Sequence, residues 1–245
     1  MKNVLVVAAI GLAVPVLGAT LTVESGAYWV QVPLPSINSF FGLANQTIRF
    51  VNERLEGNVP TLGTATTALG LRVGEGYGDT WKLGFHLVLA QLENGTSGSW
   101  RQGEQEFPVR LGVGVGLSAL ELEFALWLVP ELIQVGVFGG VGLAQVRYTG
   151  QFPQNLPTDW TLPFTPPVGD EVYAARSWVG GLFARLFLPV RLGVAVGAEV
   201  GVRFARLGVP IGPSSVLDLN RDGLGDVLDF TALWLGLVVK LSFPL

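Results

Sequence analysis

Two stretches of the chain are near copies of each other, VRLGVGVGL at 109–117 and VRLGVAVG at 190–197. In both, large aliphatic residues take every second position and, after the arginine, glycine or alanine fills the places between. A period of two belongs to a β-strand, because successive side chains point to opposite faces. The pattern recurs along the chain. Phe107, Val109, Leu111, Val113, Val115 and Leu117 alternate with Arg110, Gly112, Gly114 and Gly116, and Val190, Leu192, Val194, Val196, Ala198, Val200, Val202 and Phe204 alternate with Arg191, Gly193, Gly197, Glu199, Gly201 and Arg203. Trp81 to Leu89, Leu120 to Leu128 and Ile133 to Leu143 fit the same template, with Lys82 and His86, then Glu121 and Glu123, then glycines on the opposing face.

A soluble sandwich also alternates, so two further features decide. These segments outrun the five or six residues of an ordinary strand (about 9–11 residues suit a tilted membrane crossing). Their aliphatic face is almost free of charge, in a chain with only 14% charged residues against about 25% in soluble domains. After the N-terminus no window holds 18 uninterrupted apolar residues, which excludes a helical span. The expectation is an all-β transmembrane antiparallel barrel, with Val and Leu against lipid and Gly leaving room inside. Closure pairs every backbone group that hydrocarbon would leave unsatisfied.

The first residues, MKNVLVVAAIGLAVPVLGAT, place Lys2 before an apolar run that ends at Gly18 and Ala19. That is the layout of a cleaved secretory signal peptide over 1–19. The formal net charge of -4 offers no field for phosphate backbones, so nucleic acid is not an expected partner. The absence of Cys rules out disulfides and thiolate chemistry.

Counting back from the end predicts strands near 226–243, 190–207, 174–188, 131–148, 120–129, 108–117, 79–92 and 63–74. Segments 93–106, 149–173 and 208–225 then read as loops. FALWLVPELIQVGV at 124–137 resembles FARLFLPVRLGVAV at 183–196, with Pro130 and Pro189 in matching places, as a recurring hairpin would have them. Residues 20–62 fit less simply. LTVESGAYWVQV at 21–32 has strand character, while Ile37, Phe40, Phe41, Ala44, Ile48, Val51 and Leu55 fall at helical spacing. Two counts stay open: eight strands with a strand and helix beside or inside them, or ten.

The chain end alternates Leu237, Val239, Leu241, Phe243 and Leu245 to the last residue. In this, and in its leader and strand pattern over most of 63–245, the chain resembles small bacterial outer-membrane β-barrel proteins. The resemblance implies residence in the outer membrane of a Gram-negative-type envelope, with outer-membrane lipids and the barrel assembly machinery as partners. The usual final residue of that class is Phe, and here it is Leu245.

DLNRDGLGDVLD at 218–229 puts Asp218, Asn220 and Asp222 at positions 1, 3 and 5 of a twelve-residue loop. Gly223 follows at 6, Leu224 at 7 for its carbonyl, Asp226 at 9 and Asp229 at 12. A hard cation such as Ca²⁺ takes six to eight oxygens from such a loop. The stretch resembles the EF-hand and, with Asp at position 12, more nearly the dockerin-type calcium repeats. That resemblance implies a structural calcium ion in the last outer loop; the alternative is an ordinary Asp/Asn/Gly surface turn.

Parity sends Lys82, Arg110, Glu121, Glu123, Arg185, Arg191, Glu199, Arg203 and Lys240 into the lumen. In a narrow barrel such charges pair and fill it, because an unpaired buried charge is too costly. In a wider one they line water and favour anions modestly. The first case gives a structural or surface-interaction barrel, the second a small-solute channel. An enzyme acting on lipid or peptide would need a partner for His86, the only His, and no Ser or Asp stands in a context that supplies one. The expectation is no enzyme.

Overall fold

The computed structural model describes residues 20–32, 34–64, 67–157, 159–205, 208–213 and 215–244. The leader expected over 1–19 and the terminal Leu245 lie outside the described residues. Eight antiparallel strands follow one another round a closed barrel: β1 (Thr20–Gln31), β2 (Thr67–Tyr77), β3 (Trp81–Gln102), β4 (Gln105–Val129), β5 (Ile133–Gln151), β6 (Gly169–Arg191), β7 (Val194–Phe204) and β8 (Ala232–Pro244). The ring closes where β1 pairs with β8, from Thr20↔Pro244 to Val30↔Trp234. Within the ring no strand edge is left open, which is the condition for strands to cross hydrocarbon; only above it do β3 beyond Gln91 and β6 before Gly180 run past the ends of β2 and β7. One helix, α1 (Pro35–Asn52), joins β1 to β2.

The count is eight, with a membership the spacing of segments does not predict. Residues 108–117 and 120–129 are one strand, paired without a break to β3 from Trp81↔Leu126 to Gln102↔Gln105. The expected loop at 93–106 is strand on both sides of a two-residue turn, where Gly103 takes φ +61°. A tight hairpin turn needs that left-handed conformation, and glycine adopts it without strain. The place so vacated is filled by β1, the segment at 21–32.

Connections at 78–80, 130–132 and 192–193 are short and share the end that holds Thr20 and Pro244. The opposite end carries α1 and the long connections 152–168 and 205–231. The Pro130 and Pro189 repeat marks two hairpins of the short-turn end. Each carries a register shift, between Trp127 and Val129 and between Pro189 and Arg191.

Outside, a belt of large apolar side chains rings the short-turn half, including Trp81, Phe85, Leu122, Phe124, Leu186, Leu235 and Leu237, all exposed. A soluble protein rarely leaves a contiguous apolar patch beyond a few hundred Å². This is the exterior of a membrane-spanning barrel. Trp29, Trp81 and Trp178 stand on it, whereas Trp100 and Trp234 are buried inside. β4 has 25 residues, about 80 Å of strand at ~3.3 Å per residue. Even tilted, that is more than twice an apolar band of about 25 Å, so β3 to β6 rise well above the belt.

The fused β4 also overturns the inside–outside assignment of its upper half. Phe107, Val109, Leu111, Val113, Val115 and Leu117 are buried inside, while Arg110 is exposed and Gly112, Gly114 and Gly116 face outward with it. Below Ser118 the same odd positions become Glu121, Glu123 and Ala125, still inside, and Leu120, Leu122, Phe124 and Leu126 take the lipid face. Parity never changes along the strand. What changes is the environment on each side, from water to hydrocarbon outside and from an apolar interior to a charged one within.

That apolar upper interior receives α1. Pro35 opens the helix, where its missing N–H costs nothing, and Ile37, Phe40, Phe41, Ala44, Thr47, Ile48 and Val51 form its buried face. Phe40 meets the rings of Tyr148 and Phe164 at 5.8 and 6.0 Å. Each large apolar side chain buried here contributes about 1.5–3 kcal/mol. Asn52 fixes the far end, accepting from Trp100 Nε1 at 2.6 Å and exchanging 3.0 Å hydrogen bonds with the Val59 backbone. Thr47 Oγ1 donates to Phe164 O at 2.6 Å, which ties α1 to the 152–168 connection.

Candidate functional site: the charged lumen and the outer loop

Below α1 the inward positions change from aliphatic to ionic. Glu24 comes from β1, Arg72 from β2, Lys82 and His86 from β3, Glu121 and Glu123 from β4, Gln134 from β5, Arg185 from β6, Glu199 and Arg203 from β7 and Lys240 from β8, and all are buried. Inward glycines make the room. At Gly76 a Cβ would come within 2.7 Å of Lys82 Cδ, so the lysine stem lies where a larger residue would stand.

Arg185 is the hub. Its Nη1 and Nη2 donate to the two Glu123 oxygens at 2.8 and 2.6 Å, the bidentate geometry that suits guanidinium to carboxylate. Nη1 also reaches Glu24 Oε2 at 3.1 Å and Gln134 Oε1 at 3.0 Å, and Nε donates to Glu199. Arg72 places Nη1 3.3 and 3.2 Å from the Glu199 oxygens, and donates through Nη2 to Glu123. Lys82 Nζ bridges Glu24 Oε1 at 2.5 Å and Glu123 Oε1 at 3.1 Å. Arg203 donates to Glu121 Oε1 at 2.6 Å, and Trp234 Nε1 to Glu199 Oε1 at 2.8 Å. Each of the four carboxylates meets at least one cation. Lys240 sits apart, its ammonium 4.4 and 4.8 Å from the Trp127 and Phe187 ring centres, a cation–π seat.

His86 is held by this lattice. Arg72 Nη2 lies 3.1 Å from His86 Nδ1; guanidinium can only donate, so Nδ1 accepts and the ring proton is on Nε2. Nε2 faces Glu24 Oε2 at 3.6 Å. Glu24, His86 and Glu123 present ligand atoms within 4.8 Å of one another, as a metal site would. Lys82, Arg72 and Arg185 already crowd the same carboxylates, and a further cation there would meet theirs. Among the described residues the polar contacts of His86 are to Arg72, Glu24 and Glu123, and no hydroxyl is among them.

Of the lumen set read from the sequence, Lys82, Glu121, Glu123, Arg185, Glu199, Arg203 and Lys240 are inside. Arg110 and Arg191 are not. Arg110 is outward on the upper half of β4, by the parity given above, and Arg191 is exposed at the β6–β7 turn, beyond the register shift. Glu24 and Arg72 are lattice members the segment reading missed. Their signal was present in the alternation of Leu69, Leu71 and Val73 about Arg72, and of Thr22, Glu24 and Tyr28 on one face of β1.

The 218–229 loop lies at the end of the barrel opposite the short turns. Asp218 accepts from the backbone of Asp222 at 3.2 Å and Gly223 at 3.1 Å; Asp222 accepts from Leu224 N at 2.8 Å. Asn220 donates to Asp222 Oδ2 at 2.9 Å. Asp226 is turned inward and accepts from Leu219 N at 2.8 Å, while Asp229 accepts from Thr231 N at 2.8 Å. Burial pushes the Asp226 carboxyl up, and the nearby Asp218 and Asp222 carboxylates add to that, against the Leu219 and Ser36 hydrogen bonds. The loop therefore has the folded turn and the crowded negative charge that a calcium ion relieves. No three of its carboxylates lie within 4.8 Å of one another, and Asp229 is engaged elsewhere, so the donor set fits the ion in part.

No protein-family model matches the chain and no curated protein matches its sequence. Among solved structures, the chain is similar to Ail, the attachment invasion locus protein of Yersinia pestis, in complex with the heparin analogue sucrose octasulfate, at 9% identity over 93% of this chain and 100% of that one, TM-score 0.41. It is also similar to the outer membrane protein OprG from Pseudomonas aeruginosa, at 13% identity over 93% and 96%, TM-score 0.34. Neither likeness is close enough to transfer a site or an activity.

Proposed function

We propose that this protein is an outer-membrane barrel closed to solutes, with a structural or surface-interaction role carried at its outer end. The observation that supports this is the lattice centred on Arg185, in which Glu24, Glu123 and Glu199, contributed by β1, β4 and β7, converge on one guanidinium. A solute would have to break several charge-assisted bonds at once, and α1 lies above them. Water-lined charges in an open pore do not interlock in this way.

The test is single-channel conductance of the refolded chain in planar bilayers. Folded, inserted protein that carries no steps over hours is the expected result. Discrete reproducible steps would overturn the reading in favour of a small-solute channel.

We further propose that the 218–229 loop takes one calcium ion weakly, through Asp218, Asn220, Asp222 and the Leu224 carbonyl, with Asp226 beside them and Asp229 recruited only by a shift of its segment. Weak sites of extracellular modules have dissociation constants of about 10⁻⁴–10⁻³ M. Calorimetric titration is expected to fall in that range and to lose its signal in Asp222→Ala. No heat at millimolar calcium would remove the ion from the account.

A further inference from the structure

We infer that the outer face of β4 and its neighbours is a seat for one phosphate-bearing lipid of the outer leaflet, with Arg147 and Arg176 on its headgroup and its chains along the apolar belt. This rests on the reading of the chain as a membrane barrel. Three observations converge on it.

The first is shape. Two adjoining grooves run up the outside of the barrel, of about 590 and 930 Å³. The lower is lined by Leu120, Val141, Leu143 and Trp178 and is capped by Arg176. The upper shares Leu143 with it and continues past Gly116 and Gly114 to Arg147. Along one track the surface passes from apolar to basic to small and polar, in the order that chains, phosphate and sugar or glycerol follow in a lipid.

The second is the floor. Gly112, Gly114 and Gly116 are consecutive outward positions of β4, and glycine in a strand interior weakens the strand. Packing does not require it here. A Cβ built on Gly114 would meet nothing closer than 3.6 Å, and on Gly112 or Gly116 nothing closer than 3.8 Å. Inward glycines differ, since at Gly76 the same Cβ collides with Lys82. The outer three thus leave an open channel that the fold alone does not call for.

The third is charge. Arg147 and Arg176 are exposed, and among the described residues neither side chain has an ion pair or a hydrogen bond. Glu93, Asp170 and Glu171 line the upper groove with Arg147, and the neutral Gln91 amide and Tyr173 hydroxyl that bond Glu93 and Glu171 leave their charge in place; the lower groove holds Arg176 and no carboxylate, so Arg176 is the stronger anchor of the two. Arg147 pairs in register with Val172 and Arg176 with Leu143, which puts the two guanidinium groups on one side of the groove, just above the belt. Guanidinium binds phosphate in a fork, and at a membrane boundary it meets phosphate at the height of the headgroups.

The refolded chain in detergent micelles is to be examined by native mass spectrometry with diphosphoryl lipid A as probe. The same lipid without its phosphates and a glucosamine phosphate without acyl chains serve as comparisons. One diphosphoryl lipid A retained per barrel is expected, at least tenfold more weakly in the Arg147→Gln/Arg176→Gln double variant and in Gly116→Leu, which fills the groove from a position where a Cβ meets only Ala90 O within 4 Å and no arginine. Arg101→Gln, at the hairpin tip, should retain it as the parent does. Equal retention of the dephosphorylated lipid, or indifference to both groove variants, would overturn the proposal. Equally tight binding of the chain-free sugar phosphate would overturn the lipid in favour of a soluble ligand. Each variant is first shown to be folded by its shift on a denaturing gel between unheated and boiled samples. A chain that stays folded and monodisperse without detergent would sink the membrane reading itself, whereas one that needs micelles but ignores phosphate loses only the groove.

Discussion

Arg203 on β7 and Glu121 on β4 stand three strands apart round the ring, and the guanidinium reaches across the lumen to the carboxylate at 2.6 Å. The pair is almost wholly enclosed, with side-chain exposures of 7% and 1%. Taking two charges out of water is costly and their attraction offsets it only while both are present. Arg203→Met leaves the Glu121 carboxylate with only the longer contact to Arg72 Nε at 3.9 Å and is expected to cost about 3–5 kcal/mol, read from urea unfolding of the folded barrel in detergent. The double variant Arg203→Met/Glu121→Met should recover most of that loss. Equal destabilisation by single and double variants would mean that packing, and not pairing, is what the arginine supplies.

The helix in the mouth offers a pair of opposed expectations. Phe40 is fully buried between Tyr148 and Phe164, and Phe40→Ala should destabilise by about 3–5 kcal/mol, as deletion of a packed aromatic does. Gly42 lies on the exposed side, and a Cβ there meets nothing within 4 Å. Gly42→Ala should stabilise by about 0.5–1 kcal/mol through helix propensity alone. If Phe40→Ala leaves the unfolding midpoint of the barrel unchanged, α1 melts apart from it and cannot be the second barrier above the lattice.

Asp226 gives the loop a pH signature with a definite sign. Its folded-state carboxyl is raised, first by burial, relative to about 3.9 in an unfolded chain. Ionisation thus opposes folding. The cost is fully present above the folded value and is gone once pH falls below about 3.9. In chelator, Asp226→Asn should raise the melting temperature at pH 7 and have little effect near pH 3.5, since the amide oxygen can still accept from Leu219. Millimolar calcium at pH 7 should shrink the advantage of the variant. A loss of stability of equal size at both pH values would show that the carboxylate charge is not the source of the strain.

Much of this architecture was legible in the residues, because a lipid face and a packed ionic lumen both force a period of two. β7 and β8 carry an unbroken apolar face outward from end to end, and their sides follow directly from Glu199 and Lys240. β4 does not. Its interior passes from charged to apolar and its exterior from Leu to Gly at the same point, near Ser118, so the two halves look like strands of opposite parity joined by a turn. Only pairing to β3 removes the false break. The ion pairs themselves were not legible at all, since Arg185–Glu24 and Arg203–Glu121 join strands distant in sequence through barrel closure.

The parity of β4 can be read chemically. The chain has no Cys, so single cysteines report without background. Arg110→Cys, on the exposed outer face above the belt, should react rapidly with a membrane-impermeant maleimide added outside intact cells. Leu111→Cys, fully buried beneath α1, should react only after unfolding. Arg191→Cys, exposed at the short-turn end, should be protected in intact cells and should label once the envelope is opened, because three strand crossings separate it from the outer rim at residue 110. Arg110 lies on the far side of Leu111 from the lumen, so its replacement by Cys should leave the unfolding midpoint within about 0.5 kcal/mol of the parent. Rapid labelling at 111 with protection at 110 would reverse the strand. The upper lumen would then be lined by glycine and arginine, α1 would lose the aliphatic wall it packs against, and a water-filled outer vestibule would replace the plugged mouth.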